Sequence, residues 1–300
     1  MPALTFQRDF DPETGTPVAI APGITRVTAP NAGPYTFTGT NSFLIGHESL
    51  AVMDPGPDDE AHLAALLAAI NGRSVTAIIL THTHRDHSGL AARLQAETGA
   101  PLWFQGPHRL SRPLLPGEHN ALEGAANWDL VPDRALSDGE DVALDGLTVS
   151  VLATPGHCAN HLAFGVSGTP YLFSGDHVMG WNSTLVATPD GSMTDYLASL
   201  DRVIAAPYSA YLPAHGGPIT DGRSYAEALK EHRELRNRQI VAAVEAGAGD
   251  IETLVAAIYP DQPEAIRRAA MMTVEAHVEH LAERGSIVAE RTKGGLRLRI

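Results

Sequence analysis

The chain has 300 residues, 44% of them hydrophobic, and a formal net charge of −14 at pH 7. Its single cysteine excludes an internal disulfide framework, and no apolar run reaches the ~18 residues that a membrane-spanning helix needs. This length is enough for one large layered domain with an appendage. The N-terminus lacks a basic segment followed by an apolar one, so we expect a cytoplasmic protein. Two lysines against 19 arginines indicate a GC-rich bacterial genome.

A buried strand followed by a histidine-rich loop is the first informative feature. Residues 75–80 (VTAIIL) are apolar and rich in β-branched side chains, which is typical of a buried strand. The run Thr-His-Thr-His-Arg-Asp-His follows at 81–87, and residues 88–98 predict a helix. Alternate residues of an extended chain point to the same side, so His82 and His84 should face one direction, with Asp86 and His87 at the next turn.

Three later segments have a similar order of apolar strand, glycine or proline turn, and metal-binding type of side chain. The predicted strands and the side chains that follow them are 147–153 with His157, 171–173 with Asp176, and 208–212 with His215. Glycines beside these side chains let the backbone approach a metal closely. Two loops, 112–124 and 179–186, are expected on the surface near the metal face and at the substrate entrance.

Metal binding explains these side chains better than a structural role does. A lone histidine at a strand end is usually a hydrogen-bonded core or surface residue. Three histidines and an aspartate between positions 82 and 87 are different, because without a cation their donors and acceptors are poorly matched. The predicted metal ligands are His82, His84, Asp86, His87, His157, Asp176 and His215.

Four motifs together resemble the metallo-β-lactamase superfamily of metallohydrolases. They are THTHRDH at 81–87, TPGH at 154–157, SGDH at 174–177 and PAHG at 213–216. The resemblance implies an α/β fold, a four-layer αββα sandwich over residues 1–220, and two divalent metal ions. It assigns His82, His84 and His157 to the first ion and Asp86, His87 and His215 to the second, and it makes Asp176 the bridging ligand. Imidazole and carboxylate ligands suit zinc, with iron and manganese as alternatives.

This ligand set indicates a hydrolase in which a metal-bridging hydroxide is the nucleophile. Two neighbouring ions lower the pKa of the water between them and polarise the bond under attack, so no serine or cysteine nucleophile is needed. Asp86 is the predicted catalytic residue, since one carboxylate oxygen can bind metal while the other accepts a proton. Some true β-lactamases place a cysteine on the second metal, whereas Cys158 only follows a ligand. The predicted ligand set is similar to that of the hydrolase branch of this superfamily that includes glyoxalase II, lactonases and nucleases.

Other polar residues are expected to play supporting roles. Asp54 and Thr81 are candidates to hold the outer nitrogens of the ligand histidines. For His161 the sequence leaves substrate contact and packing open, and His177 is not expected to bind metal. The remaining histidines, expected to be solvated or to cap helices, are His47, His62, His108, His119, His232, His277 and His280.

The last 80 residues predict a separate unit, residues 221–300. Helical patterns over 221–247, 250–259 and 263–285, and a strand pair over 286–300 turned at 292–295, suggest a winged-helix-like domain. Its order of elements resembles the C-terminal extension of the β-lactamase-like protein 2 group, whose animal members are described as mitochondrial endoribonucleases. We expect this unit to form one side of the active site or a homodimer contact, in preference to binding DNA.

Charge favours a small-molecule substrate over a nucleic acid. Residues 1–220 carry 9 basic against 22 acidic side chains, and residues 221–300 carry 12 against 13. Polyanions prefer basic surfaces, which this balance does not provide. Three hypotheses follow: a dinuclear hydrolase of an ester, thioester or lactone of a small metabolite, a metal-dependent endoribonuclease acting on single-stranded RNA, or a winged-helix binding module whose metal site is structural.

Overall fold

Two β-sheets packed face to face form the centre of the computed structural model, which describes residues 4–260, 264–292 and 295–300. Within these residues the first sheet has seven strands, which lie in sequence order. They are β1 (Val18–Ala21), β2 (Ile24–Thr28), β3 (Asn41–Gly46), β4 (Ser49–Met53), β5 (Ser74–Ile79), β6 (Leu102–Phe104) and β7 (Arg134–Ala135). The strands from β1 to β4 are antiparallel, and those from β4 to β7 are parallel.

The second sheet has the order β12-β11-β10-β9-β8 in the part of the chain that is described. Its strands are β8 (Asp141–Leu144), β9 (Leu147–Ala153), β10 (Leu162–Val166), β11 (Tyr171–Gly175) and β12 (Ala210–Pro213). Apolar side chains of both sheets form one shared core, in which the rings of Phe43 and Phe173 lie 4.9 Å apart between centroids. Burial of this apolar surface is the main term that holds the two sheets together.

Helices cover the outer face of each sheet. The helices are α1 (Glu60–Ile70), α2 (Arg85–Ser88), α3 (Ala91–Thr98), α4 (Met193–Ala205), α5 (Gly222–Glu245), α6 (Ile251–Ile258) and α7 (Glu264–Glu283). Leu66 of α1 and Leu94 of α3 pack on the first sheet, while Leu200 of α4 and Leu229 of α5 pack on the second. The order of layers is therefore helix, sheet, sheet, helix, which confirms the predicted αββα sandwich.

The strands that precede the predicted ligands end at one edge of the sandwich. Strands β11 and β12 are parallel, and β9 runs in the same direction because β10 is antiparallel to both of its neighbours. Two backbone hydrogen bonds join the sheets at this edge: Leu162 N donates to Thr81 O at 2.7 Å, and Asn41 N donates to Ala214 O at 2.7 Å. The loops after β5, β9, β11 and β12 consequently meet there.

The C-terminal region is built around the second half of α5. Ile240 and Val244 of this helix pack with α6, α7 and the antiparallel hairpin of β13 (Val288–Thr292) and β14 (Gly295–Arg299). This arrangement has the order helix, helix, longer helix and hairpin that the sequence predicted. The proposed start of α7 at Pro263 and the turn at 293–294 lie outside the described residues.

One helix differs from its prediction. The helix expected over 88–98 begins earlier, as α2, and is interrupted before α3. The backbone of Gly56 causes the break, since Leu90 N donates to Gly56 O at 3.0 Å and Gly56 N donates to His87 O at 2.9 Å. A Cβ at Gly89 would lie 2.5 Å from Asp58 N, so the close approach of these two segments requires glycine at position 89.

No helix among the described residues is long and apolar enough to cross a bilayer.

Candidate metal centre

Three histidine side chains meet where β5 and β9 end. His84 Nδ1 lies 3.1 Å from His82 Nε2 and 2.9 Å from His157 Nε2. The three rings are almost perpendicular to one another, with interplanar angles between 82° and 88°. Three ring nitrogens thus point to one place, which we call the first group.

The outer nitrogens of these rings show which inner nitrogens carry lone pairs. His157 Nδ1 donates to the Leu185 carbonyl at 2.7 Å, and His84 Nε2 donates to the Asp190 carboxylate at 2.9 Å. Both acceptors lack a hydrogen, so the proton must be on the outer nitrogen. In the neutral rings the inner nitrogens therefore present unprotonated lone pairs to each other, which is the arrangement a cation binds.

Thr81 and Asp54 fix the third ring in the same way. The Thr81 hydroxyl donates to Asp54 Oδ2 at 2.7 Å, so at 3.0 Å it accepts from His82 Nδ1. Asp54 Oδ1 also accepts from Thr81 N, and Asp54 Oδ2 accepts from His87 Nδ1 at 3.0 Å. Asp54 and Thr81 thus make the supporting contacts that their sequence positions predicted.

The second group contains Asp86, His87 and His215, and Asp176 lies between the two groups. His215 Nε2 is 3.3 Å from Asp86 Oδ2 and 3.3 Å from Asp176 Oδ1. His87 Nε2 is 3.5 Å from Asp86 Oδ2 and 3.6 Å from Asp176 Oδ2. Asp176 Oδ2 also lies 3.6 Å from His157 Nε2 in the first group. The structure therefore brings all seven predicted ligands together.

Two nitrogens of the second group, His87 Nε2 and His215 Nε2, and one oxygen of Asp176, Oδ1, are buried and have no hydrogen-bond partner. Such orphaned groups are rare in proteins and call for an ion or water. Their nitrogen and oxygen donors, like those of the first group, fit a divalent metal ion. Three sets of potential ligand atoms lie close together, and within each set the atoms are no more than 4.8 Å apart. The sets are His82/His84/His157, His82/His87/Asp176 and Asp86/His87/His215.

Electrostatics keep two of the three imidazoles of the first group neutral. In the first group, burial lowers the pKa of His157 to about 4 and holds that of His82 well below its usual range. Burial also opposes the charged form of His84, but Asp190 outweighs it and raises the pKa of that ring. Two neutral imidazoles are thus available to bind metal, and Asp190 favours a proton or a metal ion at His84.

In the second group the carboxylates decide the outcome. Burial alone would lower the pKa of His215, but Asp176 and Asp86 raise it to about 9. The same two carboxylates, against burial, raise the pKa of His87 well above its usual range. A divalent ion would replace these protons. Asp86 has the most exposed side chain of the seven candidates, at 30%, so it is the one most open to the cleft.

A helix of the C-terminal region supports the loop that carries Asp176. Thr184 Oγ1 donates to Asp176 O at 2.6 Å, and the next residue, Leu185, accepts from His157. Arg233 of α5 is 2% exposed and donates to the Thr184 carbonyl. A buried arginine of α5 thus holds the segment that orients two candidate ligands. Thr184, predicted to line the substrate entrance, is buried and has this structural role instead.

His161, for which the sequence allowed two roles, is fully buried and packs beside the candidate ligand His82. Its Nε2 accepts from Asp176 N at 3.1 Å and its Nδ1 donates to Thr154 Oγ1 at 2.8 Å, so it positions Asp176. His177 is also buried, and its ring packs on Tyr196 away from the three ligand sets. These contacts favour packing over substrate contact for His161.

Sequence reasoning missed Asp190 and misjudged His108. Asp190 is in a Pro-Asp-Gly run, which is typical of an ordinary turn, and no candidate metal ligand is near it in the sequence. His108 was expected to be solvated or to cap a helix, but it is 6% exposed and donates to Asp190 Oδ1 at 2.8 Å. His62, His277 and His280 are also buried, contrary to a solvated role. Only the fold brings Asp190 and His108 together.

Aromatic side chains flank the second group. Phe37 and Trp181 stack with 5.0 Å between centroids and 6° between planes. A Cβ at Gly216, the residue after His215, would lie 3.2 Å from Trp181 Cδ1 and 3.6 Å from Phe37 Cδ1. Trp128, 38% exposed, packs edge-on against His108 near the first group. Aromatic side chains thus lie close to residues of both groups.

Known proteins share both the sequence pattern and the fold. The Metallo-beta-lactamase superfamily profile matches residues 35–215, and that of the Beta-lactamase associated winged helix domain matches 251–295. A Beta-lactamase-like protein 2 homolog from Caenorhabditis elegans is 28% identical over 96% of this chain and 91% of its own. An Atrochrysone carboxyl ACP thioesterase from Aspergillus chevalieri is 29% identical over 84% of this chain and 78% of its own. A beta-lactamase domain protein from Burkholderia ambifaria superposes with a TM-score of 0.81 at 24% identity, covering 97% and 95% of the two chains.

Proposed function

The chain belongs to the metallo-β-lactamase superfamily and is a hydrolase, and we propose that it cleaves a thioester or related ester of a small apolar acid with two divalent metal ions. The convergence of seven imidazole and carboxylate side chains, with their outer nitrogens committed to hydrogen bonds, is the observation that carries this proposal.

The proposed ligands follow the two groups. His82, His84 and His157 would hold one ion, and Asp86, His87 and His215 the other. Asp176, whose oxygens face nitrogens of both groups, would contact both ions. Zinc is the proposed metal, because imidazole and carboxylate ligands suit it, with iron and manganese as alternatives.

The chemistry follows from this ligand set. Two divalent ions when bound lower the pKa of a water to near neutrality and polarise the oxygen of the bond under attack. Asp86 is the proposed catalytic residue: one of its oxygens faces His87 and His215, and its exposed carboxylate can orient the attacking water and accept its proton. Asp54, Thr81, His161 and Arg233 hold the ligands in place.

The aromatic surroundings support an apolar acyl group on the substrate. The stacked Phe37 and Trp181 lie next to His215, and Trp128 offers a second aromatic surface. The Aspergillus relative is named as a thioesterase acting on an acyl carrier protein thioester, which supports a thioester over a lactone. The net charge of the first 220 residues, −13, disfavours a polyanion, so RNA cleavage is the weaker alternative.

Other predictions from composition and pattern extend this proposal. We propose that residues 1–220 form the catalytic unit and residues 221–300 a unit that supports it. A homodimer, a cytoplasmic location and a bacterial source stay predictions.

A substrate panel tests the proposal. The zinc-loaded chain is assayed with aryl and alkyl thioesters, oxygen esters, lactones and single-stranded RNA, with and without EDTA. We expect thioester hydrolysis that EDTA abolishes and that His82→Ala reduces at least about 1,000-fold, because a ligand of the activating metal is lost. His47→Ala, at an exposed turn, is the matched control and should keep full activity. Cleavage of RNA alone, or activity that survives EDTA and His82→Ala, would refute it.

A further inference from the structure

Asp190 is a fully buried carboxylate in the segment between β11 and α4. Its Oδ2 accepts from His84 Nε2 at 2.9 Å, and its Oδ1 accepts from His108 Nε2 at 2.8 Å. Asn120 Nδ2 lies 3.4 Å from the same Oδ1. A buried charge is costly unless hydrogen bonds satisfy it, so both imidazole N–H groups are needed here.

The second nitrogen of His108 joins the network to the metal-binding loop. Since Nε2 donates to Asp190, Nδ1 of the neutral ring accepts from the Thr83 hydroxyl at 2.9 Å. The Thr83 oxygen in turn accepts from Asn160 Nδ2 at 2.9 Å. Every hydrogen in this path has one donor and one acceptor, which fixes the orientation of both imidazoles. Thr83 stands between two candidate ligands, so the path begins and ends on the same loop.

Residues 105–131, which we call the entrance loop, surround Asp190. The Ser111 hydroxyl donates to the carbonyls on either side of Asp190, those of Pro189 and Gly191, at 2.8 Å each. Asn127 N donates to Thr83 O at 2.8 Å. The rings of Trp128 and His108 lie 4.4 Å apart between centroids and are almost perpendicular. Contacts to Asp190 and Thr83 therefore join the loop to the first group, beside a backbone bridge between Ala126 and His84.

We propose that Asp190 is a positioning residue of the first metal site, and that the Asp190–His108 pair makes the order of the entrance loop depend on metal binding at His84. Asp190 holds His84 in the one tautomer whose Nδ1 lone pair faces His82 and His157. A metal ion that keeps His84 in this orientation also keeps Asp190 in place to bind His108. The inference rests on the metal site of the proposed function, but not on which bond the enzyme cleaves.

The first test measures metal affinity. Zinc is titrated against a competing chelator with the wild type, Asp190→Ala and the matched control Asp195→Ala, an exposed residue of α4. We expect Asp190→Ala to weaken binding of one of two ions about 10- to 100-fold, as is typical for loss of the partner of a ligand histidine. Asp195→Ala should match the wild type. Asp190→Asn, which keeps the shape but offers one acceptor oxygen to two donors, serves if the alanine variant does not fold, and it should show a smaller loss.

The second test measures the order of the entrance loop. Hydrogen exchange of residues 105–131 is compared with and without zinc in the wild type, His108→Ala and His108→Gln. Zinc should slow exchange in the wild type and not in His108→Ala. His108→Gln should restore part of the effect, because its Nε2 can still donate to Asp190.

Two results would overturn the inference: unchanged affinity for both ions in the Asp190 variants, or a zinc effect on the loop that His108→Ala leaves intact. Either result in an enzyme that binds two ions and hydrolyses a thioester would leave the proposed function standing. A wild type that binds two ions but hydrolyses nothing in the panel would refute the proposed function alone.

Discussion

At the scale of single residues, one hydrogen bond at the outer nitrogen fixes the tautomer of each imidazole in the first group. Leu185 O, Asp190 and the Thr81 hydroxyl fill this role for His157, His84 and His82. The sequence predicted the supporting role of Thr81, because Thr81 directly precedes the candidate ligand His82 in the motif. It could not predict Asp190, which is 106 positions from its partner along the chain and is brought to it only by the packing of two loops.

Thr81→Val tests this role of the hydroxyl. Valine has the same shape but cannot accept from His82 Nδ1, so the ring loses the bond that fixes its tautomer. We expect zinc affinity of the first site to fall about 10-fold. Thr81→Ser keeps the hydroxyl and should stay close to the wild type. Chelator competition measures both, and equal affinities for the valine and serine variants would argue against the role.

Proton release should accompany metal binding at the second group. The pKa of His215 is raised to about 9, so this ring is protonated in the metal-free chain at pH 7, and the pKa of His87 is raised in the same direction. Zinc must displace the proton at His215, and the affinity for zinc should rise with pH up to about 9. Calorimetry in two buffers of different protonation enthalpy should show release of at least one proton per chain. Binding heats that do not depend on the buffer would contradict this.

The same pKa shift affects the stability of the metal-free chain. Because the pKa of His215 is raised from 6.5 to about 9 on folding, its stabilising contribution is fully present below pH 6.5 and is lost as the pH rises through 9. Denaturant unfolding of the metal-free chain should therefore show this loss of stability between these pH values.

At the scale of elements, the site is made of strand ends that turn sharply at glycine. The strand over Leu147–Ala153 matches its prediction, and those that end near Asp176 and His215 are close to theirs, because apolar runs bounded by turn residues are strong signals. The break between α2 and α3 was not predictable, since it depends on hydrogen bonds to Gly56, more than 30 residues earlier in the chain.

Gly175→Ala tests the demand for glycine at one of these turns. Gly175 has φ of +52°, and a Cβ there would lie 2.5 Å from His161 Nε2, the acceptor that holds Asp176 N. We expect a loss of at least about 2 kcal/mol and weaker zinc binding. Gly168→Ala, with φ of +74° and open space around its Cβ, should cost only about 1 kcal/mol and leave zinc binding unchanged. Denaturant unfolding and chelator competition compare them, and similar effects of the two substitutions would contradict this reading.

At the scale of the whole molecule, α5 belongs to two cores at once. Its first half packs on the second sheet, its second half on the C-terminal helices, and Arg233 between them reaches the loop that carries Asp176. The family matches confirm the predicted superfamily, hydrolase class and winged helix. Sequence could not reveal the contact of Arg233, because an arginine on a mixed polar helix usually lies in solvent.

Arg233→Met tests whether the C-terminal region supports the metal centre. Methionine keeps most of the apolar length but leaves the Thr184 carbonyl without its charged donor, which should cost about 2 kcal/mol and loosen zinc binding. Arg238→Met removes an exposed arginine of the same helix that pairs with Glu231, and it should change stability by less than about 1 kcal/mol. Urea unfolding and zinc titration of both variants measure the difference. Equal behaviour would mean that the region is not coupled to the site.

Anomalous diffraction at the zinc edge, from crystals of the zinc-loaded chain, tests the central claim most directly. The structure leads us to expect two peaks about 3.5 to 4 Å apart. One should lie next to His82, His84 and His157, the other next to Asp86, His87 and His215, and Asp176 should contact both. A single peak, or peaks away from these side chains, would contradict the dinuclear centre.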